Sequence, residues 1–324
     1  MNAPLPQHTQ RFQRFAIGAI FYTIGVIMFG AWVRVTGSGA GCGRSWPTCH
    51  GTAIPRPEAV ETIIEFTHRL TSGVSLLLVL ILLWLAIRWF PKKHLARKWA
   101  KLSVLFMILE ALLGAGLVLF ELVVDNDSIF RAFSMTAHLV NTSILMACMV
   151  CTAYWGGLHN PQPRRIERTL RTGIVLGMYA LLLTSMTGAI TALGDTLYPA
   201  ESSRHAISAG LEATSHFLVR LRLLHPVIAL GAGALVAIVS AGAGIRTEPE
   251  QVETRRWAYA TCALVIGQVI FGFVNIALSA PAWMQLVHLG MATTLWCCYI
   301  SLMSHLRIQQ PATAAPSPRV AQAH

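Results

Sequence analysis

Glu65, His68 and Arg69 form a charged cluster at the start of an apolar run that extends from Leu70 to Trp89. Residues three positions apart lie on one face of a helix, so the Glu65 carboxylate and the His68 imidazole can point into the same cavity. This pairing suits metal or haem chemistry. Taken alone, the cluster could equally be a set of solvated residues at a membrane interface.

Three further histidines are placed in the same way. His138, His225 and His288 each lie near the start of a later apolar segment. A single histidine in such a segment is more often a packed or hydrogen-bonded residue than a ligand. Four of them at similar depth inside lipid are a much stronger signal, because polar residues are costly there and mark functional sites.

The composition indicates the environment of these histidines. The 324 residues are 54% hydrophobic and only 12% charged, whereas about a quarter of the residues in soluble domains are charged. A membrane-spanning helix needs about 20 apolar residues. We predict an all-α integral membrane protein with eight spans, near 15–33, 70–89, 102–120, 135–155, 172–193, 223–243, 257–279 and 284–305.

The excess of basic residues fits this topology. Of the 25 Lys and Arg residues, 17 fall on the side of the N-terminus and 8 on the opposite face. The positive-inside rule therefore places both termini in the cytoplasm. The net charge of +11 is a topology signal, and we expect no nucleic-acid partner. We predict cytoplasmic segments at 1–14 (a loose tail), 157–171 (a linker) and 306–324 (a C-terminal tail).

The two halves of the chain are related by an internal repeat. The segment around Glu110 aligns with that around Gln268 at an offset of 158 residues; His68 aligns with His225 at 157, and His138 with His288 at 150. We predict two four-helix halves, 15–156 and 172–305. Because both halves run in the same direction, a pseudo-twofold axis along the membrane normal should relate them.

Each predicted half offers a histidine on its second helix and another on its fourth. Helical bundles build cofactor sites from facing helices, and two imidazoles can ligate one haem iron axially. Dinuclear copper or zinc is the alternative, but such sites usually gather three or more ligands per metal. The halves differ three residues before the histidine, where Glu65 can move protons and Arg222 can pair with haem propionates.

Cys42 and Cys49 lie in a glycine-rich loop on the predicted outer face. A disulfide is favoured in that compartment, while a zinc site or covalent haem attachment would need other spacings. The remaining five cysteines lie within spans, as apolar fillers. Glu110 lies near mid-membrane; a neutral side chain bonded to a neighbouring helix is favoured there over a proton path.

Together these features resemble the haem A synthase family over residues 15–305. Glu65-Phe66-Thr67-His68-Arg69 is similar to the family's E-x-x-H-R motif, and His138, His225 and His288 begin the matching spans. The glycine-rich loop and the Cys42/Cys49 pair also occur in many bacterial members. The loop 194–215 contains no cysteine, so a second disulfide seen in some relatives is absent.

The resemblance implies oxidation of the C8 methyl group of haem O to a formyl group through two hydroxylations and loss of water. It implies that His68 and His138 hold haem O or its product haem A, with Glu65 as a catalytic residue, and that His225 and His288 hold a haem b. We expect Glu65 to sit at a helix mouth reached by water, the alternative being a surface ion pair with Arg69.

The same resemblance implies a bacterial cytoplasmic membrane, with the haem sites nearer the periplasmic face. The implied partners are the farnesylating enzyme that supplies haem O and an electron donor or acceptor such as a quinone or ferredoxin. Self-association is left open.

Two other functional classes compete with this one. A dihaem b-type cytochrome could pass electrons from quinol without substrate chemistry, although it would not need Glu65 beside only one haem. A transporter or haem-handling scaffold also suits parallel repeats, but the spans lack paired Gly/Pro breaks at mid-membrane depth.

Overall fold

The computed structural model describes residues 7–56, 59–158, 166–212 and 214–307. Parts of the predicted linker 157–171 and most of the predicted tail 306–324 lie outside these ranges.

Regular structure in the described residues is helical, apart from one isolated bridge between Cys49 and Thr52. The ten α-helices are α1 Gln7–Val35, α2 Val60–Trp89, α3 Leu95–Leu119, α4 Ile129–Gly156, α5 Arg168–Leu197, α6 Ser203–Leu211, α7 Phe217–Leu221, α8 Leu224–Arg246, α9 Val252–Ala277 and α10 Ala282–His305. Eight helical segments are long and apolar enough to cross a membrane, with α7 and α8 counted as one. The predicted eight-span all-α membrane protein is confirmed.

Two helices begin well before their predicted spans. Helix α1 starts at Gln7, so the predicted loose tail is wrong for residues 7–14; Phe12 there is fully buried and packs edge-on against Phe90, with ring centroids 5.0 Å apart. Helix α2 starts at Val60, ahead of the apolar run. Hydropathy marks where lipid contact begins, whereas backbone hydrogen bonding extends further into polar sequence. Glu65, His68 and Arg69 therefore lie within α2.

The sixth span is interrupted. Helix α7 ends at Leu221 and α8 begins at Leu224, which places His225 in the first turn of α8. Pro226 follows it, and a proline is tolerated in the first turn because its missing N–H would have no helical partner. The loop before α7 also contains the unpredicted helix α6, capped by the Ser202 side chain, which accepts from the His205 N–H at 3.2 Å.

The helices pack as two rings. Helices α1 to α4 contact one another in sequence and close through α1 against α4, while α5, α8, α9 and α10 close in the same order. The rings meet where α4 packs against α10 and α5, and α1 against α10. This pattern is the same in both halves; the pseudo-twofold axis itself stays a prediction.

The two rings are held together most tightly at the end away from the four histidines. The C-terminal halves of α4 and α10 are buried there, where Trp296 Nε1 on α10 donates to the Ser143 carbonyl on α4 at 2.7 Å. Within the second ring, the Tyr299 hydroxyl donates to the Ile174 carbonyl at 3.2 Å. The histidines lie in the opposite halves of their helices. Dense packing thus fixes one end of the protein and leaves the other for the site.

The histidine end is tied together by polar contacts. Arg34 at the end of α1 donates to the Ala192 carbonyl at 2.6 Å, to the Thr196 hydroxyl, and to Gln285 Oε1 at 3.1 Å. It thereby joins α1 to α5 and α10. Between the loops, the Tyr198 hydroxyl donates to Asp127 at 2.6 Å, a bond that lowers the pKa of that carboxyl group.

Candidate functional site

Each of the four histidines faces a glycine on the preceding span of its own ring. A Cβ atom built on the glycine would approach the histidine Cε1 in every case, at 3.0 Å for Gly30 and His68, 3.8 Å for Gly114 and His138, 3.0 Å for Gly188 and His225, and 3.3 Å for Gly272 and His288. Three of the four distances are shorter than ordinary van der Waals contact. Glycine at these four positions therefore leaves room for the imidazoles, because the side chain of any other residue there would crowd the ring.

The four glycines follow the internal repeat. Gly30 and Gly188 are 158 residues apart, as are Gly114 and Gly272. Sequence reasoning assigned them no role, although extending the repeat alignment to glycine would have identified them. The recurrence of these glycines indicates that each histidine is positioned in the same way, against a glycine of the preceding span.

The imidazoles of the first half have free ring nitrogens. Nδ1 of His68 and Nδ1 of His138 are buried and have no hydrogen-bond partner within the described ranges. An unpaired buried polar atom is costly and calls for an explanation such as a missing ligand. When Nε2 of such a ring binds iron, the proton lies on Nδ1 and needs an acceptor, so this pair fits a haem once Nδ1 is partnered.

The histidines of the second half fit a haem less directly. His225 Nδ1 lies 3.1 Å from the Thr187 hydroxyl, which fixes the ring and leaves Nε2 for a ligand. His288 Nε2 lies 3.1 Å from the Gln268 amide nitrogen, while its Nδ1 is buried without a partner in the described residues. Iron binding through Nε2 of His288 therefore requires the Gln268 amide to turn away.

The number of ligands favours haem over a bare metal ion. Within the part of the chain that the structure describes, no three His, Cys, Asp or Glu side chains converge as metal ligands. Zinc and copper sites usually need at least three such groups, whereas a porphyrin supplies four nitrogens and needs only two from the protein. The histidine pairs match the haem, which needs only two protein ligands.

Glu65 is buried, with 3% of its surface exposed. Its Oε2 accepts from the Cys42 backbone N–H at 2.7 Å, and its Oε1 accepts from Arg69 Nε at 3.1 Å and from Arg69 Nη2. The expectation of a water-exposed carboxylate at a helix mouth is therefore wrong, and so is the alternative of a surface ion pair. The sequence predicted a disulfide in the outer loop but not that this loop buries Glu65, because loop contacts leave no periodic signal.

The covering loop contains the predicted disulfide, which is formed between Cys42 and Cys49. Arg69 Nη1 donates to the Ser45 and Thr48 carbonyls, both at 2.6 Å. At the start of α2, the Thr62 hydroxyl donates to the Gly41 carbonyl at 2.6 Å. Glu65 and Arg69 thus form a buried clamp that seats this disulfide loop on the helix carrying His68.

We expect Cys42 and Cys49 to resist alkylation in denatured, unreduced protein and to react after reduction. Closing so short a loop stabilises the fold by about 2 to 3 kcal/mol in the chain-entropy model, so a Cys42→Ser/Cys49→Ser double variant should unfold at a lower temperature. Mass spectrometry of alkylated peptides and thermal unfolding test this. Free Cys148 and Cys151 serve as internal references for thiol reactivity.

Arg222 already has an acidic partner. Its Nε lies 2.7 Å from Asp195 Oδ1, and its Nη2 donates to the Tyr198 carbonyl at 2.9 Å. The predicted role of Arg222 in cofactor binding stays a prediction. A haem propionate would have to share this guanidinium with Asp195.

Glu110 on α3 is hydrogen-bonded to a neighbouring helix, as the sequence interpretation favoured. Asn141 Nδ2 on α4 donates to Glu110 Oε2 at 2.6 Å, and the Thr142 hydroxyl contacts Oε1. His138 lies on the same turns of α4. Glu110 is therefore linked to the helix that carries a candidate ligand.

An apolar groove of about 370 Å³ lies between α4, α3 and α5. It is lined on α4 by Phe133, Thr136, Ala137, Val140, Asn141 and Ile144, with Leu113 of α3 and Met186 of α5. Only two of these side chains are polar, so the groove suits an apolar group, and His138 does not line it.

A Gly30→Val substitution should abolish haem uptake by the first half. The new side chain would begin 3.0 Å from the His68 ring and push it aside, whereas α1 itself can stay in place. Gly25→Val is the matched control, because nothing lies within 4 Å of a Cβ at Gly25 on the same helix. Haem content per purified chain measures the effect. Equal loss in both variants would contradict the proposal that Gly30 makes room for His68.

Eight membrane-spanning segments in two rings, each with a histidine pair set against glycines, define a class of multi-pass membrane proteins with intramembrane histidine sites. Residues 13–300 match the COX15-CtaA family, whose description is cytochrome oxidase assembly protein. The chain belongs to this family, which confirms the resemblance found in the sequence.

Curated relatives extend this result. A Thermus thermophilus protein named protoheme IX farnesyltransferase is 46% identical over 295 residues, covering 90% of this chain and 48% of that protein. A heme A synthase of Halalkalibacterium halodurans is 30% identical over 295 residues, covering 86% of this chain and 92% of that protein. A heme A synthase of Shouchella clausii is 46% identical over 125 residues, 37% of this chain and 40% of that protein. The chain spans about half the length of the Thermus relative.

Proposed function

We propose that this protein is a haem A synthase that oxidises the C8 methyl group of haem O to a formyl group. Family membership and the heme A synthase of Halalkalibacterium halodurans, matched over nearly its whole length, support an oxidoreductase role in haem A formation. The substrate and the residue roles are inferred from the site.

The observation that carries the proposal is that the two halves differ at two repeat-related positions beside the histidines, which hold carboxyl groups only in the first half. In the first half, Glu65 lies one turn before His68, and Glu110 lies 3.6 Å from His138 Nδ1. The corresponding positions of the second half are Arg222 and Gln268. Two electron-carrying haems would need no such difference, whereas oxidation of a methyl group requires protons to leave a dry site.

The residues divide between two roles. His68 and His138 bind the substrate haem O. His225 and His288 hold a resident haem b, which supplies a route for electrons when bound. The buried Glu65 carboxylate holds the disulfide loop and acts at the edge of the substrate, and Arg222 with Asp195 lies at the mouth of the second site.

The farnesyltransferase name of the Thermus relative fits the same biosynthetic route. Haem O carries a farnesyl-derived chain, so an enzyme that transfers a farnesyl group to haem supplies this substrate. The chain matches only 48% of that relative, which leaves about as much sequence for the transferase activity. Farnesyl transfer is therefore assigned to a partner or to an attached domain, and not to the helices described above.

The proposed setting is the bacterial cytoplasmic membrane. Both termini and the linker 157–171 lie in the cytoplasm, and the histidines lie nearer the periplasmic face, because 17 of the 25 basic residues fall on the side of the termini. The four-helix halves 15–156 and 172–305 act as substrate half and haem b half. A quinone or ferredoxin exchanges electrons with the second site.

Pigment extraction from the purified protein tests the function. The chain is produced together with a haem O-forming enzyme in a host that lacks its own haem A synthase. Haem A together with haem B in the extract supports the proposal. Haem B alone, at two per chain, would instead identify an electron-carrying dihaem cytochrome, and protein without haem would exclude both functions.

A further inference from the structure

We propose that Glu110 is a positioning residue for His138, accepting a hydrogen bond from Nδ1 and so directing Nε2 towards the substrate iron. The inference rests on the proposed function and adds a residue to the first site. It also makes the first-site imidazole a stronger electron donor than its counterpart in the second half.

The contact between the two side chains is nearly formed. Glu110 Oε2 lies 3.6 Å from His138 Nδ1, just beyond hydrogen-bond distance, and Nδ1 is buried without another partner in the described residues. When Nε2 binds a metal, the proton sits on Nδ1 and needs an acceptor. A small rotation of either side chain closes the remaining gap.

The carboxyl group of Glu110 is held in the orientation that this role requires. Asn141 Nδ2 donates to Glu110 Oε2 at 2.6 Å and to the Phe106 carbonyl at 2.9 Å. A backbone carbonyl only accepts, so the Asn141 amide is fixed with its nitrogen towards both oxygens. Oε2 is therefore an acceptor, whichever group carries the proton between Oε1 and Thr142.

Three residues of α4 thus converge on one side chain of α3. His138, Asn141 and Thr142 occupy one turn and the next, and each faces the Glu110 carboxyl group. A tie between two helices needs only one such bond. The convergence beside an otherwise unpartnered imidazole nitrogen favours a role directed at His138.

The second half has an amide at the equivalent position. Gln268 lies 158 residues after Glu110, and its amide nitrogen lies 3.1 Å from both Nε2 and the backbone carbonyl of His288. Gln268 thus contacts Nε2 of its histidine and offers a donor, whereas Glu110 lies beside Nδ1 of His138 and offers an acceptor. The two sites consequently differ in what the protein presents to the histidine, a difference that tunes ligand basicity and iron potential.

The test uses reciprocal exchange at these positions. The full-length protein is purified as wild type, Glu110→Gln, Glu110→Leu and Gln268→Glu, and each is loaded with haem B. Midpoint potentials and EPR g-values are measured for both haems, which His68→Ala and His225→Ala variants assign to their halves. We expect the first-half haem potential to rise in Glu110→Gln and to rise further in Glu110→Leu, with the second-half haem unchanged.

The reciprocal variant supplies the control. Gln268→Glu should lower the potential of the second-half haem only, because a negative charge beside a haem favours the ferric state. Wild-type potentials and g-values in both Glu110 variants would overturn the inference and leave Glu110 as a tie between α3 and α4. If Glu110→Leu does not fold, Glu110→Gln decides, since it keeps the shape of the side chain. A wild-type protein that binds no haem B would overturn the proposed function as well.

Discussion

A His225→Ala variant will lose the haem of the second half and keep its first-half site. The imidazole is held by Thr187 and set against Gly188, and truncation to alanine removes its ring nitrogens from the site. The absorbance of the low-spin second-half haem should disappear in the purified protein. His288→Ala should give the same result, because it removes the other histidine of the pair.

The matched control is His205→Ala, which changes an exposed histidine on α6. This variant should retain the wild-type haem content and spectrum. If His225→Ala and His288→Ala each preserve a normal bis-histidine spectrum, the assignment of the second site is wrong. Loss of haem from both halves would instead indicate that the variant fails to fold.

A Glu65→Gln variant should fold, keep the second-half haem, and accumulate haem O or a hydroxylated intermediate instead of haem A. The carboxylate accepts from three donors, and an amide cannot accept at both ends, so the clamp on the disulfide loop is weakened. Removing one partner of a buried ion pair destabilises a protein by about 3 to 5 kcal/mol. Haem analysis after co-expression with a haem O source measures the chemical effect, and thermal unfolding measures the structural one.

Arg69→Gln separates these two effects. It removes the cation of the clamp but leaves the Glu65 carboxylate in place. If Glu65 acts on the substrate, Arg69→Gln should retain more haem A formation than Glu65→Gln at a similar loss of stability. Equal loss of product in both variants would assign Glu65 to loop seating alone. Unaltered haem A formation by Glu65→Gln would return the first half to the electron-carrier interpretation.

The membrane fold was predictable because its signal is local. Each span shows itself as an apolar run, and lipid forces the backbone of such a run to be helical. The helix starts were less predictable: the mixed polar and apolar residues before Leu70 continue α2, because the loop packed on Thr62 and Glu65 replaces water there. A break such as that between α7 and α8 depends on packing around Pro226 as well as on its sequence.

The histidines were predictable for a different reason. The repeat places His68, His138, His225 and His288 at matching positions, and repetition raises a weak single-residue signal. Their glycine partners and the clamp on the disulfide loop were missed, because these contacts join residues that are distant in the chain. Burial of Glu65 could not be inferred either, since a carboxylate before an apolar run looks the same whether a loop covers it or water does.

Arg34 has a consequence for how the protein is made. Its guanidinium at the end of the first span donates to Gln285, which lies 251 residues further along the chain. During synthesis the first helix enters the membrane long before the last one exists, so Arg34 must remain at the hydrated surface while the intervening spans are inserted. The bond to Gln285 therefore forms only after α10 is inserted, and a chain that stops before α10 would hold Arg34 only through Ala192 and Thr196 of α5.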